Sequence, residues 1–477
     1  MKFISFIVKR SFASLLLLPC LVMAETSKEQ PNILFIAVDD MRTLTGSYGD
    51  KMAITPNIDA LANQSTQFNK AYVSWPVCGP SRMSLMTGQR PEENGIVNLK
   101  FKIREVNPNV VTLPQLLKNN GYETAAVGKV FDPRNVESRI KDDPASWTIP
   151  YQTPKASLKG KDKLAVKSID APTEKFVDGN INNRGKELLT QMAKNDKPFF
   201  LAVGYKRPHL PFIAPKKYFD LYDRAAFELA PFQQAPKNSN AKYILNNNGE
   251  MRTYRPTPKA GGKIIPYPKG DFSEAHQREL LHGYYATMAF VDSLVGDLLE
   301  TLEKTGEADN TIVVFWGDHG FHLGDHGMWG KHTTMEQANR IPLLIKLPNG
   351  AFGQFNRPVE TLDLYPTLAE LAQVKTTQTM HGQSLVKVLK DHSSPLEKEI
   401  AISQYKRGGT FGYSLRTNRY RYTEWINKNK DVLYRDLYDL DKDPLETVNI
   451  AVQKENQSIV TELAKTLRQH KAGLKRL

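Results

Sequence analysis

One of only two cysteines in 477 residues, Cys78, sits in the stretch Val77-Cys78-Gly79-Pro80-Ser81-Arg82-Met83-Ser84-Leu85-Met86-Thr87-Gly88; the other, Cys20, lies in an N-terminal leader. Without that leader Cys78 has no partner for an intramolecular disulfide. A thiol so placed is either a small buried hydrophobe or a reactive, modifiable group. Gly79 and Pro80 suit a tight entry into a helix, because proline's missing N–H costs nothing in the first turn. Ser81 and Arg82 then fall where unpaired backbone N–H groups and the helix dipole favour a bound anion.

Four other groups with chemistry stand at the ends of apolar runs. Ile33 to Val38 stops at Asp39-Asp40, and Tyr122 to Val127 stops at Gly128-Lys129. Pro198 to Tyr205 delivers Lys206-Arg207-Pro208-His209, with Pro211 beyond, and Thr311 to Trp316 ends in Gly317-Asp318-His319-Gly320, with Lys331 close behind. Unbroken apolar runs of this length predict strands covered on both faces, as in a parallel sheet between helices. Such sheets bind ligands beyond the carboxyl ends of their strands, so the armed residues meet on one edge if the strands lie parallel. An aspartate pair there is either a set of caps or a cation site. Asp39, Asp40 and Asp318 together offer the oxygen ligands that hard divalent ions such as Ca²⁺ or Mg²⁺ prefer.

The elements between these runs read as their supports. Leu113 to Lys118 predicts an amphipathic helix stopped by Asn120-Gly121, and a further helix is expected around residues 185–194. Val291, Leu294, Val295, Leu298 and Leu302 repeat at helical spacing, with Gly306 placed to cap. Residues 132–176 and 230–275 lose periodicity and read as insertions that frame a pocket. Arg340 to Ile345 predicts another strand and residues 359–368 the start of a helix. Beyond a boundary near 376–390 come strand-like pieces at 412–417 and 420–425, and a terminal helix at 455–470.

The chain opens with Lys2, Lys9 and Arg10, a leucine run and Val22-Met23-Ala24, which reads as a signal peptide over 1–24 and an exported, periplasmic or secreted product. No later stretch is long enough to cross a membrane. A hydrophobic content of 40% is ordinary for a globular protein, and a net charge of +13 suits either an anionic partner or a solvated surface. No nucleic-acid recognition motif accompanies it.

The Cys78 stretch resembles the signature of the sulfatase family, C-x-P-S-R followed by Leu/Met-Thr-Gly, at Cys78, Pro80, Ser81, Arg82, Met86, Thr87 and Gly88. Gly121-Tyr122-x-Thr124 with Gly128-Lys129 resembles the family's second signature, and Gly128-Lys129-Val130-Phe131 is similar to its iduronate-2-sulfatase-like branch. Lys206 to Phe212 resembles the same branch, and Gly317-Asp318-His319-Gly320, followed by Gly324-Asp325-His326-Gly327 and Lys331, resembles the sulfatases as a family. Leu437 to Pro444 resembles the C-terminal subdomain. The branch carries a histidine where this chain has Asp132, which either substitutes as an acceptor at the nucleophile or faces elsewhere.

The resemblance implies an alkaline-phosphatase-like α/β fold: a large mixed, mostly parallel sheet between helices over 25–380, with a smaller α+β subdomain over 381–477. It implies conversion of Cys78 to formylglycine by a maturing enzyme, and a Ca²⁺ site, in preference to Mg²⁺, made by Asp39, Asp40, Cys78, Asp318 and His319. Cys78, Arg82, Lys129, His209 and Lys331 are the implied catalytic set, and Lys129, His209, Lys331 and Asp132 the implied contacts to a sulfated glycan. The implied activity is sulfuric ester hydrolysis. A phosphate mono- or diester hydrolase of the same fold and a non-catalytic binder of sulfated glycans are the alternatives. His326 and His332 have no firm role on this reading, and His322 reads as incidental.

Overall fold

A computed structural model describes residues 30–471 except 155–157, 159–162, 247–248, 256–258, 261–262 and 265–271. The leader, and with it Cys20, lies outside the described residues. The main sheet has seven strands: β1 (Asn32–Asp39), β2 (Thr66–Phe68), β3 (Glu123–Gly128), β4 (Phe199–Pro208), β5 (Thr311–Gly317), β6 (Leu343–Lys346) and β7 (Gly353–Phe355). Their order is β7-β2-β6-β5-β1-β4-β3. The four strands read from the armed apolar runs, β3, β4, β1 and β5, are neighbours and all parallel. Strand β6 runs antiparallel to β5 and β2, which makes the sheet mixed.

Register fixes the functional edge. Ala37 of β1 lies opposite Gly204 of β4 and Trp316 of β5, and Gly128 of β3 lies opposite Gly204. The residues following each strand therefore emerge side by side. Gly204 is required here: a Cβ on it would come within 2.3 Å of the Lys129 backbone, whose N–H donates to the Gly204 carbonyl at 2.7 Å.

Both faces of the sheet are covered. Leu34, Ile36 and Val38 face a layer containing the helices Val177–Met192 and Glu274–Thr305, through Leu188, Leu189, Leu294 and Leu298. Ile33, Phe35 and Ala37 face Met83, Leu85, Leu116, Leu364 and Leu368 on the other side. Full burial of each such side chain contributes about 1.5–3 kcal/mol, so alternate residues of β1 tie two helical layers to one strand. In this order α1 is Cys78–Thr87, α2 Leu113–Asn119, α3 Val177–Met192, α4 Glu274–Thr305, α5 Leu364–Leu371 and α6 Gln457–Lys471.

Several elements depart from their sequence expectations. Arg340 to Ile345 is not one strand: Arg340–Ile341 pairs with Ala71–Tyr72, while β6 begins at Leu343. Pro342 separates them and has no N–H to give a ladder. Helix α3 starts at Val177, eight residues before the expected stretch, through a polar Asp-Gly-Asn run. Helix α4 covers 32 residues, with Gly306 at φ 76° as its cap, and the apolar stripe marked only its second half. The 132–176 insertion is partly built in: Trp147 is buried against Phe131 and Phe200, and Val166–Ile169 pairs with Phe212–Pro215. C-terminally, β8 (Ala401–Arg407), β9 (Thr410–Arg416), β10 (Tyr420–Ile426) and β11 (Val432–Asp439) form an antiparallel sheet, and α6 packs on it through Leu463 and Leu467.

Candidate active site

Cys78 is the first residue of α1 and is buried. The Gly79 position is closed to any side chain, since a Cβ there would stand 1.9 Å from Asn135 Oδ1. The Ser81 hydroxyl donates to the Asp318 carbonyl, and Gly88 at φ 64° ends the helix. The helix start is thus pinned directly to the end of β5.

Around the thiol the strand ends converge. His319 Nε2 lies 3.2 Å from Cys78 Sγ, Lys331 Nζ 3.6 Å and Asp40 Oδ1 3.9 Å. Lys331 Nζ also reaches Asp40 Oδ1 at 2.6 Å, and His319 Nε2 is 3.3 Å from the same oxygen. Ligand atoms of Asp39, Asp40, Cys78 and His319 all lie within 4.8 Å of one another. Asp318 borders this group, with Oδ1 3.6 Å from His319 Nε2 and accepting from the Asp40 N–H at 2.9 Å. Asp40 itself adopts φ 60°, the left-handed region, which turns its carboxylate back over the strand ends.

Arg82 is wholly buried, and its guanidinium is consumed by the protein. Nε donates to Asp318 Oδ2 at 2.9 Å and Nη2 to Asp39 Oδ1 at 3.1 Å, while Nη1 donates to the carbonyls of Lys129 and Val130. Lys129 Nζ donates to the other oxygen of Asp39. Burial alone would push Asp39 up, but Lys129, with His209 and Arg82, holds it well below the usual carboxylate range. Burial, then Asp39, pushes the Cys78 thiol up, so the unmodified cysteine is a poor thiolate.

This chemistry fits a divalent cation. The donor set is carboxylate-rich, and Asp40 Oδ2 is buried with no hydrogen-bond partner. His319 Nδ1 lies 3.0 Å from the Gly320 carbonyl, which can only accept. Nδ1 therefore donates there, and Nε2 is the ring nitrogen turned toward the thiol and the carboxylates.

His209 stands across the site, half-buried. Its Nδ1 is 2.6 Å from the Leu210 carbonyl, so Nδ1 carries a proton and Nε2 is the face turned to Glu250 Oε1 at 2.9 Å and Asp40 Oδ2 at 4.0 Å. Burial pushes this imidazole down, but Asp40, with Glu250 and Asp39, carries it up to about 10 against the opposition of Lys331. Asp132, in the position where a histidine is expected, turns to its neighbour: both carboxylate oxygens accept from Arg134, at 2.7 and 2.8 Å, and Lys129 Nζ is 3.9 Å away.

Glu250 was not legible in the sequence. It bridges His209 and Lys331, the latter at 3.0 Å, from within an insertion of no periodicity. His332 lines the same cavity and stacks on Tyr405, whereas His322 is buried on Thr333 and His326 packs against Phe232, both outside the cluster. The cavity over Cys78 has a volume of about 690 Å³ and is walled by Lys129, Arg134, Arg207, His209, Tyr254 and Lys331 among others.

The model of the family described as Sulfatase matches residues 31–374, and that described as N-sulphoglucosamine sulphohydrolase, C-terminal, matches residues 324–473. Iduronate 2-sulfatase of Mus musculus is 34% identical across 88% of this chain and 90% of its own length. The Homo sapiens iduronate 2-sulfatase is 31% identical across 90% and 92%. Among solved structures, a protein in complex with its substrate D-glucosamine-2-N,6-O-disulfate superposes with TM-score 0.76 at 24% identity, covering 94% of this chain and 98% of that one. A phosphonate monoester hydrolase of Agrobacterium radiobacter gives TM-score 0.74 at 20% identity, covering 93% and 96%; both likenesses speak to the fold.

Proposed function

The chain belongs to the sulfatase family and is a sulfuric ester hydrolase, and we propose that it removes sulfate from a sulfated glycan at residue 78 after conversion of Cys78 to formylglycine. One observation carries this reading: the thiol is buried at the floor of an open cavity, with His319 and Lys331 within 3.6 Å. Formylglycine, as its hydrate, supplies the oxygen nucleophile for sulfur. A divalent ion, Ca²⁺ in preference to Mg²⁺, would be held by Asp39, Asp40, Asp318, His319 and residue 78, and supplies fixed positive charge.

The chain's own residues divide the remaining work. Lys331 and Lys129 place ammonium groups beside position 78, where they neutralise sulfate oxygens as charge builds in the transition state. Arg82 acts as a positioning residue: it binds Asp39 and Asp318 at once and so holds two strand ends at fixed separation. His209 gives its Nε2 proton to the departing sugar oxygen. Its fixed Nδ1–H and the neighbouring carboxylates support that protonated state. Asp132 holds Arg134 at the wall of the cavity rather than meeting residue 78.

The test is inorganic sulfate released from a panel of sulfated oligosaccharides by protein whose Cys78 peptide carries the aldehyde by mass. The expected release disappears on chelation and in Cys78→Ala. Release of phosphate from phosphate esters in its place would assign the protein to phosphoester hydrolysis, and binding without any turnover would make it a glycan-binding relative. The leader over 1–24 supports export, which an N-terminus at Glu25 on the secreted or periplasmic product would establish.

A further inference from the structure

The Lys331 ammonium reaches residue 78 from a backbone that is bent against its preference and held by the C-terminal sheet. Lys331 is buried, and its Nζ lies 3.6 Å from Cys78 Sγ and donates to Asp40 Oδ1 at 2.6 Å. The next residue, His332, adopts φ 75°, the left-handed region that a residue with a Cβ disfavours and that persists only where its surroundings impose it. Those surroundings come from two distant segments. Asn246 Nδ2, in the insertion that carries Glu250, donates to the Lys331 carbonyl. Arg407 Nη2, at the last residue of β8, donates to the His332 carbonyl at 2.9 Å. Arg407 Nη1 reaches the same insertion, donating to the carbonyls of Lys242 at 3.0 Å and of Leu245, at the end of the short helix Ala241–Ile244. Tyr405, two residues earlier on the same face of β8, lies with its ring centroid 5.6 Å from this guanidinium and stacks on the His332 imidazole, centroids 6.1 Å apart. Arg407 pairs with no carboxylate among the described residues, and burial pushes it down from the ordinary arginine value. Its charge is committed to three main-chain oxygens on two loops that meet at Lys331.

We propose that Arg407 is a positioning residue for the reaction at residue 78: together with Asn246 it holds the left-handed turn at Lys331 and His332, and so aims the Lys331 ammonium at the group being hydrolysed. This rests on the role given to Lys331 in the sulfatase reading, and it adds that the C-terminal sheet completes the catalytic centre through its β8–β9 hairpin. A lysine carries its charge on a flexible four-carbon stem, so the place its ammonium occupies depends on where its backbone is fixed. Released from Arg407, His332 relaxes toward negative φ and carries the Lys331 stem with it.

A double-mutant cycle with Lys331→Ala separates positioning from general support of the fold. Arg407→Gln is expected to lower kcat on a sugar sulfate by about tenfold to a hundredfold, with KM changed less, because Lys331 acts as charge builds in the transition state. In the Lys331→Ala background the same change should lower kcat by under about twofold, since the group that Arg407 positions is gone. Arg407→Lys, which reaches fewer of the three carbonyls, should retain part of the activity. Asn246→Ala frees the Lys331 carbonyl and should follow the same pattern, and it takes the place of Arg407→Gln in the cycle if that variant does not fold. Inorganic sulfate titrated calorimetrically into Cys78→Ala protein in Ca²⁺ gives a readout that needs no turnover. Arg407→Gln should weaken its binding by about threefold or more with Lys331 in place, and leave it unchanged in the Lys331→Ala background. Equal losses in the two backgrounds, by either readout, overturn the proposal. Absence of sulfate release by the matured wild-type protein would instead overturn the sulfatase reading, and the sulfate-binding cycle would still decide whether Arg407 acts through Lys331.

Discussion

Arg82→Met tests whether the site is held together by charge. The wild-type guanidinium gives the only side-chain donors to Asp318 Oδ2 and Asp39 Oδ1 among the described residues, at 2.9 and 3.1 Å, with no exposure to water. Methionine fills much of the volume but leaves both oxygens, and the Val130 carbonyl, without that donor. Removing one partner of a buried ion pair costs about 3–5 kcal/mol. Whole domains have only about 5–15 kcal/mol of stability. The variant should therefore unfold at a much lower urea concentration, with a loss of at least about 3 kcal/mol. Arg82→Lys, which keeps the charge but reaches fewer of these groups, should lose about 1.5–3 kcal/mol, the value of one charged hydrogen bond. A cation bound by Asp39 and Asp318 offers a second way to compensate the same carboxylates. Ca²⁺ should then raise the urea midpoint of Arg82→Met by more than it raises that of the wild type. The reasoning fails if Arg82→Met loses under about 1 kcal/mol, or if Ca²⁺ stabilises the two proteins equally.

His209→Ala should lower kcat on a sugar sulfate by about 10²–10⁴, and by much less on an aryl sulfate whose phenolate leaves without a proton; equal losses on both would remove His209 from the general-acid role. Asp142 is buried, accepts from Trp147 Nε1 at 2.8 Å and from the Asp143 N–H, and burial pushes it up to about 7 despite those bonds. A carboxyl raised in the folded state contributes stability below the unfolded value near 3.8 and loses it as pH rises through about 7. Asp142→Asn should accordingly melt higher than the wild type at pH 8, by up to about 4 kcal/mol in stability, with the advantage shrinking toward pH 4; a pH-independent difference would refute the assignment. Gly79→Ala forces a methyl against Asn135 and Leu99 and should cost about 1–3 kcal/mol, while displacing residue 78, so kcat falls more than stability alone explains; unchanged kcat would show that the helix start tolerates movement.

The strands were legible because their burial is so complete. Residues 33–38 and 311–316 are apolar at nearly every position since helices cover both faces, and an aspartate stands just past each run, Asp39 directly and Asp318 after Gly317. Lys129 and His209 announced themselves in the same way, by following apolar runs. Pro342 divides the 340–345 run into two strands, and apolarity does not tell a parallel from an antiparallel neighbour, so the direction of β6 was hidden. Helix α3 begins in Asp178-Gly179-Asn180, residues of weak helix propensity, and forms because Ile181 and Leu188 pack on the sheet. Glu250 had no signal at all: it comes from an irregular insertion, and its partners lie 41 residues before and 81 after it in the chain.

Asp132 shows how a departure from an expected motif resolves into local electrostatics. A histidine there could offer a neutral donor or acceptor to residue 78, whereas an aspartate would set a further negative charge beside Asp39, Asp40 and Asp318. That repulsion is avoided because Arg134, two residues on, takes both carboxylate oxygens, and Lys129 lies on the other side. Burial pushes Asp132 up, but the Arg134 hydrogen bond and Lys129 bring it down to about 2, so the pair persists at any working pH. Asp132 thus holds a guanidinium at the cavity wall. Arg134 is then a wall cation already neutralised by Asp132, at 2.7 Å.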